Sequence, residues 1–197
     1  MKRKLSLKIR ISFFALLMLL ALALSNSVIS LAAFVAATLH ELGHIFAAKL
    51  FKTDLGELKL GIFGASLSID SSMTSYKTEI AVALAGPLTN LLCALLTCSS
   101  YCRQSSFFEY FFVCSLFLAF LNLLPITDLD GGRILLCSLS LFLPCYAANK
   151  VLLVCSFVLV FSLWCLSVYL LLRLGASLSL FVFSSALFCK IFLKSNK

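Results

Sequence analysis

Residues Val28 to Leu50 read VISLAAFVAATLHELGHIFAAKL, an apolar run long enough to span a bilayer, interrupted by the polar group His40-Glu41-Leu42-Gly43-His44. The chain has two histidines, and these are they. On a helix a spacing of four places both imidazoles on one face, a turn apart, within reach of one metal ion. Glu41 lies between them in sequence, where a carboxylate can contact a water beside a metal rather than the metal itself. The competing reading is a pair of satisfied polar side chains within a helix bundle. It fits poorly, because an unpaired carboxylate in a bilayer costs about 2.5–3.5 kcal/mol even on the mildest scale. The pattern is that of a zinc hydrolase, with Glu41 as general base. It names no substrate.

The surroundings agree with a membrane setting. Of the 197 residues, 62% are hydrophobic and 12% charged, with a mean hydropathy of +1.10. Soluble domains are nearer half apolar and a quarter charged. The chain therefore reads as one compact integral membrane domain over 1–197, with a catalytic core at about 28–140 and further spans over 144–197. No polar linker, repeat or low-complexity tract divides it. In a soluble protein a net charge of +8 would point to nucleic acid. Here basic residues at span ends facing an anionic cytoplasmic leaflet explain it, and no nucleic-acid partner is expected. The nine cysteines show no Cys-x-x-Cys spacing and most are scattered in apolar runs, so they read as small hydrophobes.

Before the histidine span, MKRKLSLKIR leads into an apolar run from Ile11 to Leu24. A basic start and a short apolar core also describe a signal peptide. A first membrane helix, lengthened by Leu5, Leu7 and Ile9, is the preferred expectation. Lys49 and Lys52 close the histidine span and place that end in the cytoplasm. At 1.5 Å per residue, a metal on His40 and His44 would lie roughly 8–14 Å below that surface.

Beyond it, Leu58, Leu60 and Ile62 alternate with polar or glycine positions, and so do Leu67 and Ile69 after Gly64. This predicts a short membrane-associated β-hairpin between the second and third spans, or an amphipathic connector at the interface. As a hairpin it would offer an edge to an extended peptide. A third span follows Lys77 and Glu79 and contains Ala85-Gly86-Pro87-Leu88-Thr89-Asn90. Packing is sufficient reason for Gly86 and Pro87, whereas Asn90 is a buried amide able to hold a peptide backbone or an oxyanion. A fourth span, about 107–124, runs into Asn122-Leu-Leu-Pro-Ile-Thr-Asp128-Leu-Asp130-Gly131-Gly132. Counting crossings returns Asp130 to the side and depth of His44, at a broken helix end where it can be a third ligand. Asp128, two residues earlier, is not excluded by geometry alone. Three protein ligands leave a fourth position for water. A short helix over 134–143 and spans at about 151–172 and 178–193 complete about six transmembrane helices. Both termini and the active site then face the cytoplasm, and of the 16 basic residues only Arg103 and Arg173 fall outside.

HELGH, AGPLTN and NLLPITDLDGGRI, in that order on successive spans, resemble the site-2 protease family of intramembrane zinc proteases, in its sporulation-type branch. The resemblance covers roughly residues 30 to 140. It implies zinc held by His40, His44 and Asp130, Glu41 as the catalytic base, and Asn90 and Asn122 near the active site. It also implies a membrane-associated protein substrate, cleaved in or beside the bilayer of a bacterial cell membrane to release a transcription factor or process a precursor. Asp128 stands where many members have proline, and no PDZ insertion or CBS domain is present. Two other functions compete: an inactive zinc-binding membrane scaffold, which has no need of Glu41, and a zinc or solute transporter. The transporter lacks a series of ionisable residues through the outer half of the membrane. Substrate, trigger and oligomeric state are not legible. The topology is testable: reporter fusions after Lys52 and Lys150 are expected to read cytoplasm and one near Ser105 the outside. An outside signal at Lys52 would undo the depth argument.

Overall fold

The computed structural model describes residues 8–11, 27–51, 55–61, 64–69, 75–98, 105–127, 129–174 and 178–195, the short stretches 8–11, 55–61 and 64–69 through their backbone. The apolar run 12–24, Lys52, Ile62, Phe63, Arg103 and Asp128 lie outside the described residues. The chain divides into two compact units, Met1–Leu123 and Leu124–Lys197. It is mostly helical, and among the described residues three helices are long and apolar enough to cross a membrane: Val28–Leu50, Tyr76–Thr97 and Cys145–Arg173.

The first unit holds helices α1 (Val28–Leu50), α2 (Tyr76–Thr97) and α3 (Ser106–Asn122), each packed on the other two. The bounds of α1 are those the sequence predicts. Ser27 precedes it in extended conformation, and Lys49 sits in the last turn, where a cation complements the helix dipole. Its buried residues, Ala32, Ala36, His40, Gly43, His44, Ala47 and Ala48, recur every three or four positions. They form one stripe of small side chains with the histidines set into it. Phe34, Leu42, Phe46 and Leu50 are exposed. With lipid outside, apolar area does not decide which face turns inward; small residues do, by letting backbones approach.

The stripe on α2 is similar: Glu79, Val82, Ala83, Gly86, Asn90, Ala94 and Thr97 are buried. Glu79, which the sequence reading leaves ahead of the span, lies inside the helix and is buried, because the helix already begins at Tyr76. The two stripes meet closely. A side chain at Gly43 would collide with Thr89 Oγ1 and stand 2.8 Å from the Ala85 carbonyl oxygen. Thr89 Oγ1 itself donates back to that carbonyl at 2.7 Å, so its polar atom is satisfied at the seam. Above the histidine level, Ala32, Ala36 and Phe111 form a core ringed by Val35, Leu39, Cys93, Phe107 and Cys114.

Three strands complete this unit: β1 (Lys8–Ile11), β2 (Leu55–Gly61) and β3 (Gly64–Ile69). They form one sheet in the order β1-β2-β3, with β1 parallel and β3 antiparallel to β2. The register sets Lys8 opposite Glu57 and Gly61 opposite Gly64. Lys8–Ile11 thus corrects an expectation: these residues are strand, not the start of a first membrane helix.

In the second unit, α4 (Asp130–Ser140) packs on α5 (Cys145–Leu174), and α5 on α6 (Leu178–Ser195). Helix α4 starts four residues before its expected start, so Asp130-Gly131-Gly132 is a first helical turn rather than a broken helix end. It closes in tight turns, with Leu141 N–H on Ser138 O and Phe142 N–H on Leu139 O, before Pro144 stops it. The α5–α6 seam is polar at two points. Ser167 Oγ lies 2.8 Å from Ser184 Oγ, and Trp164 Nε1 donates to Ser185 Oγ at 3.1 Å. Phe188 packs against Phe157, Phe161 and Trp164 alongside.

Candidate metal centre

His40 and His44 project from the small-residue stripe of α1 and are 4% and 7% exposed. Their rings meet edge to face, with centroids 4.7 Å apart and planes at 85°. The two Nε2 atoms face each other at 3.2 Å. His44 Nδ1 lies 2.8 Å from the carbonyl oxygen of Val82 on α2. A carbonyl only accepts, so Nδ1 carries the proton and Nε2 carries the lone pair. Two zinc–imidazole bonds of 2.0–2.1 Å at a tetrahedral angle hold their nitrogens roughly 3.3 Å apart. The pair therefore fits a zinc ion by distance and by the fixed tautomer of His44.

Helix α2 makes this pocket possible by what it lacks. A side chain at Gly86 would collide with His44 Nε2, stand 2.6 Å from His44 Cε1 and 2.8 Å from His40 Cε1. Gly86 is thus a residue of the site, which the sequence reading assigned to packing. A signal was present: Gly86 and Asn90 are four apart and share a helix face. Asn90 is fully buried, its Nδ2 3.3 Å from His40 Nδ1, and its Oδ1 has no hydrogen-bond partner. Asn122 has a different partner, donating from Nδ2 to the carbonyl of Leu118 in its own helix at 3.0 Å. Glu41 is half-buried and stands about 100° round α1 from His40.

In the second unit, Asp130 is half-buried in the first turn of α4, where the helix dipole favours negative charge. Its position is set by a loop that folds back on the helix. Leu129 N–H bonds to Ile126 O at 2.9 Å, and Gly132 N–H to Leu129 O at 3.1 Å. A side chain at Gly132 would strike the Ile126 carbonyl and stand 3.1 Å from Thr127 Cα. For Gly132 the neighbour is its own preceding loop.

A second residue that sequence reasoning missed is Ser156 on α5, fully buried in a span to which the sequence assigns no site residue. Its hydroxyl accepts from Thr127 N–H at 3.0 Å and is shared as donor between Leu152 O at 2.7 Å and Pro125 O at 3.3 Å. It holds the loop three residues ahead of Asp130. A serine within a long apolar span was the only hint.

These contacts predict that Gly86→Ala displaces both imidazoles, costs about 1–3 kcal/mol by overpacking and empties the metal site. Leu88→Ala, at a position 56% exposed, is expected to leave zinc content unchanged. Metal analysis of the two purified variants checks this. Full zinc in Gly86→Ala would contradict the geometry.

The sequence model of peptidase family M50 matches residues 28–105 and 99–166. The stage IV sporulation protein FB of Bacillus subtilis (strain 168) is 33% identical over 116 residues, which cover 57% of this chain and 40% of that protein. The chain thus spans about 40% of the length of that relative. Among solved structures, the Site-2 Protease from Methanocaldococcus jannaschii is similar with a TM-score of 0.71, over 99% of this chain and 94% of that one. At 23% identity this is a likeness of fold. The family match runs through the histidine helix, Asn90, Asp130 and Ser156, and the chain belongs to peptidase family M50.

Proposed function

We propose that the chain is an intramembrane zinc metalloprotease that hydrolyses a peptide bond in or next to a membrane-associated segment of a substrate protein. The observation that carries this reading is the pair of buried Nε2 atoms 3.2 Å apart, one of them held in its ligating tautomer by Val82 O. Membership of family M50 supports it. In this reading both units form one protease domain, and His40, His44 and Asp130 hold the metal. Zinc, when bound there, supplies Lewis acidity toward water and the scissile carbonyl. Glu41 takes a proton from the attacking water as the C–O bond forms, and then gives it to the amide nitrogen as the C–N bond breaks and the amine leaves. Asn90, with Asn122 as the weaker candidate, donates to the substrate backbone or the developing oxyanion.

A helical substrate hides its carbonyls in hydrogen bonds and has to be extended before it can be cut. Because β2 is the central strand, an added strand would pair with an outer edge of the sheet, on β1 or β3. We place the sheet at the membrane interface, the six spans in a bacterial cell membrane, and the active site and both termini toward the cytoplasm. Release of a transcription factor or processing of a precursor would follow from such cleavage.

Glu41→Gln is the direct test, because it removes the base and no ligand. It is expected to keep zinc and membrane insertion and to lower cleavage by about 10²–10⁴-fold. Comparing membrane proteomes of wild type and variant should show uncut precursors accumulating in the variant. Zinc retained with proteolysis near normal would contradict the mechanism.

A further inference from the structure

Asn90 stands behind His40, on the side of the ring away from the other imidazole. With its Nδ2 donating to His40 Nδ1, at the 3.3 Å separation, the ring proton of neutral His40 sits on Nε2 and points at His44 Nε2. In that tautomer His40 offers no lone pair at the point where the two Nε2 atoms converge. It also leaves the amide oxygen of a fully buried side chain without a partner. A half-turn of the amide exchanges its two ends. Oδ1 then accepts from His40 Nδ1–H, the orphaned oxygen gains a hydrogen bond, and Nε2 presents its lone pair beside that of His44. Nδ2 moves to the buried position that Oδ1 occupied, where it has two N–H groups to offer.

We propose that Asn90 is the positioning residue for His40: with its amide turned so that Oδ1 accepts from Nδ1–H, it fixes the tautomer in which both Nε2 atoms present lone pairs to one metal. The two ligands are then held by the same device, an acceptor from α2 on each outer ring nitrogen. Val82 supplies a backbone carbonyl and Asn90 a side-chain one. The device differs in one respect, since a backbone carbonyl cannot rotate and an amide can. The inference rests on the proposed zinc site. It extends the oxyanion role, because the amide that accepts with Oδ1 keeps both Nδ2 hydrogens for a substrate.

The test is zinc affinity of the full-length protein by competition with a chelator, alongside histidine NMR. Asn90→Leu, of similar size but without an acceptor, is expected to weaken zinc binding 10–100-fold. Asn90→Asp, an acceptor with no N–H, is expected to bind zinc within a few-fold of wild type while losing cleavage. Equal zinc affinity in wild type and Asn90→Leu, or a loss in Asn90→Asp as large as in Asn90→Leu, would overturn the inference. Because the chain has two histidines, selective ¹⁵N labelling gives four ring nitrogens to assign, in wild type alone. Zinc-loaded protein should show protons on both Nδ1 atoms. A proton on His40 Nε2 would overturn the proposal even if Asn90→Leu fails to fold. Wild type that holds no zinc would instead overturn the metal site itself, and this inference with it.

Discussion

Everything at the centre depends on how closely two helices approach. Gly43 on α1 leaves room for Thr89 and the Ala85 carbonyl, and Gly86 on α2 leaves room for both imidazoles. Only at that separation can Val82 O reach His44 Nδ1 and the Asn90 amide reach His40 Nδ1. A single methyl group at either glycine would push apart the backbones whose polar atoms orient the two imidazoles. Stability and chemistry thus rest on the same van der Waals contact, as expected where lipid supplies no hydrophobic drive between helices.

The polar groups of this interior are satisfied in two ways, by a neighbouring element or by a carbonyl of their own helix. Ser156 ties the loop before Asp130 to α5, and Ser167 meets Ser184 across α5 and α6. Thr97 and Thr89 return their hydroxyls to their own helices. Asn90 Oδ1 and the hydroxyls of Ser115, Thr127 and Ser140 have no such partner, and of these four Asn90 lies against His40. An unsatisfied buried amide is costly enough that its place beside a ligand argues for a role rather than chance.

Much of this was legible in the chain. The span Val28–Leu50 and its His-Glu-Leu-Gly-His group were readable because length, hydropathy and helical spacing are local properties. Asn90 was identified as buried and polar for the same reason. What failed was non-local. Lys8–Ile11 leads into an apolar run and so reads as the start of a helix, yet its strand conformation depends on a partner some fifty residues later, at Glu57 to Leu60. Gly86 reads as a packing glycine until the imidazoles above it are seen. Asp130-Gly131-Gly132 has the composition of a turn, and its helical start depends on the Leu129 carbonyl receiving Gly132 and Arg133 N–H. Ser156 has no motif, and its importance lies in what folds onto it.

The central claim is that His40, His44 and Asp130 together hold one zinc ion. Asp130 opens α4, and Asp128 stands two residues before it in the sequence. Zinc stoichiometry of purified Asp130→Asn and Asp128→Asn, each beside wild type, tests that claim most directly. The account predicts that Asp130→Asn loses zinc and activity, while Asp128→Asn keeps zinc and at least part of the activity. Zinc retained in full by Asp130→Asn, or lost in Asp128→Asn alone, would contradict it.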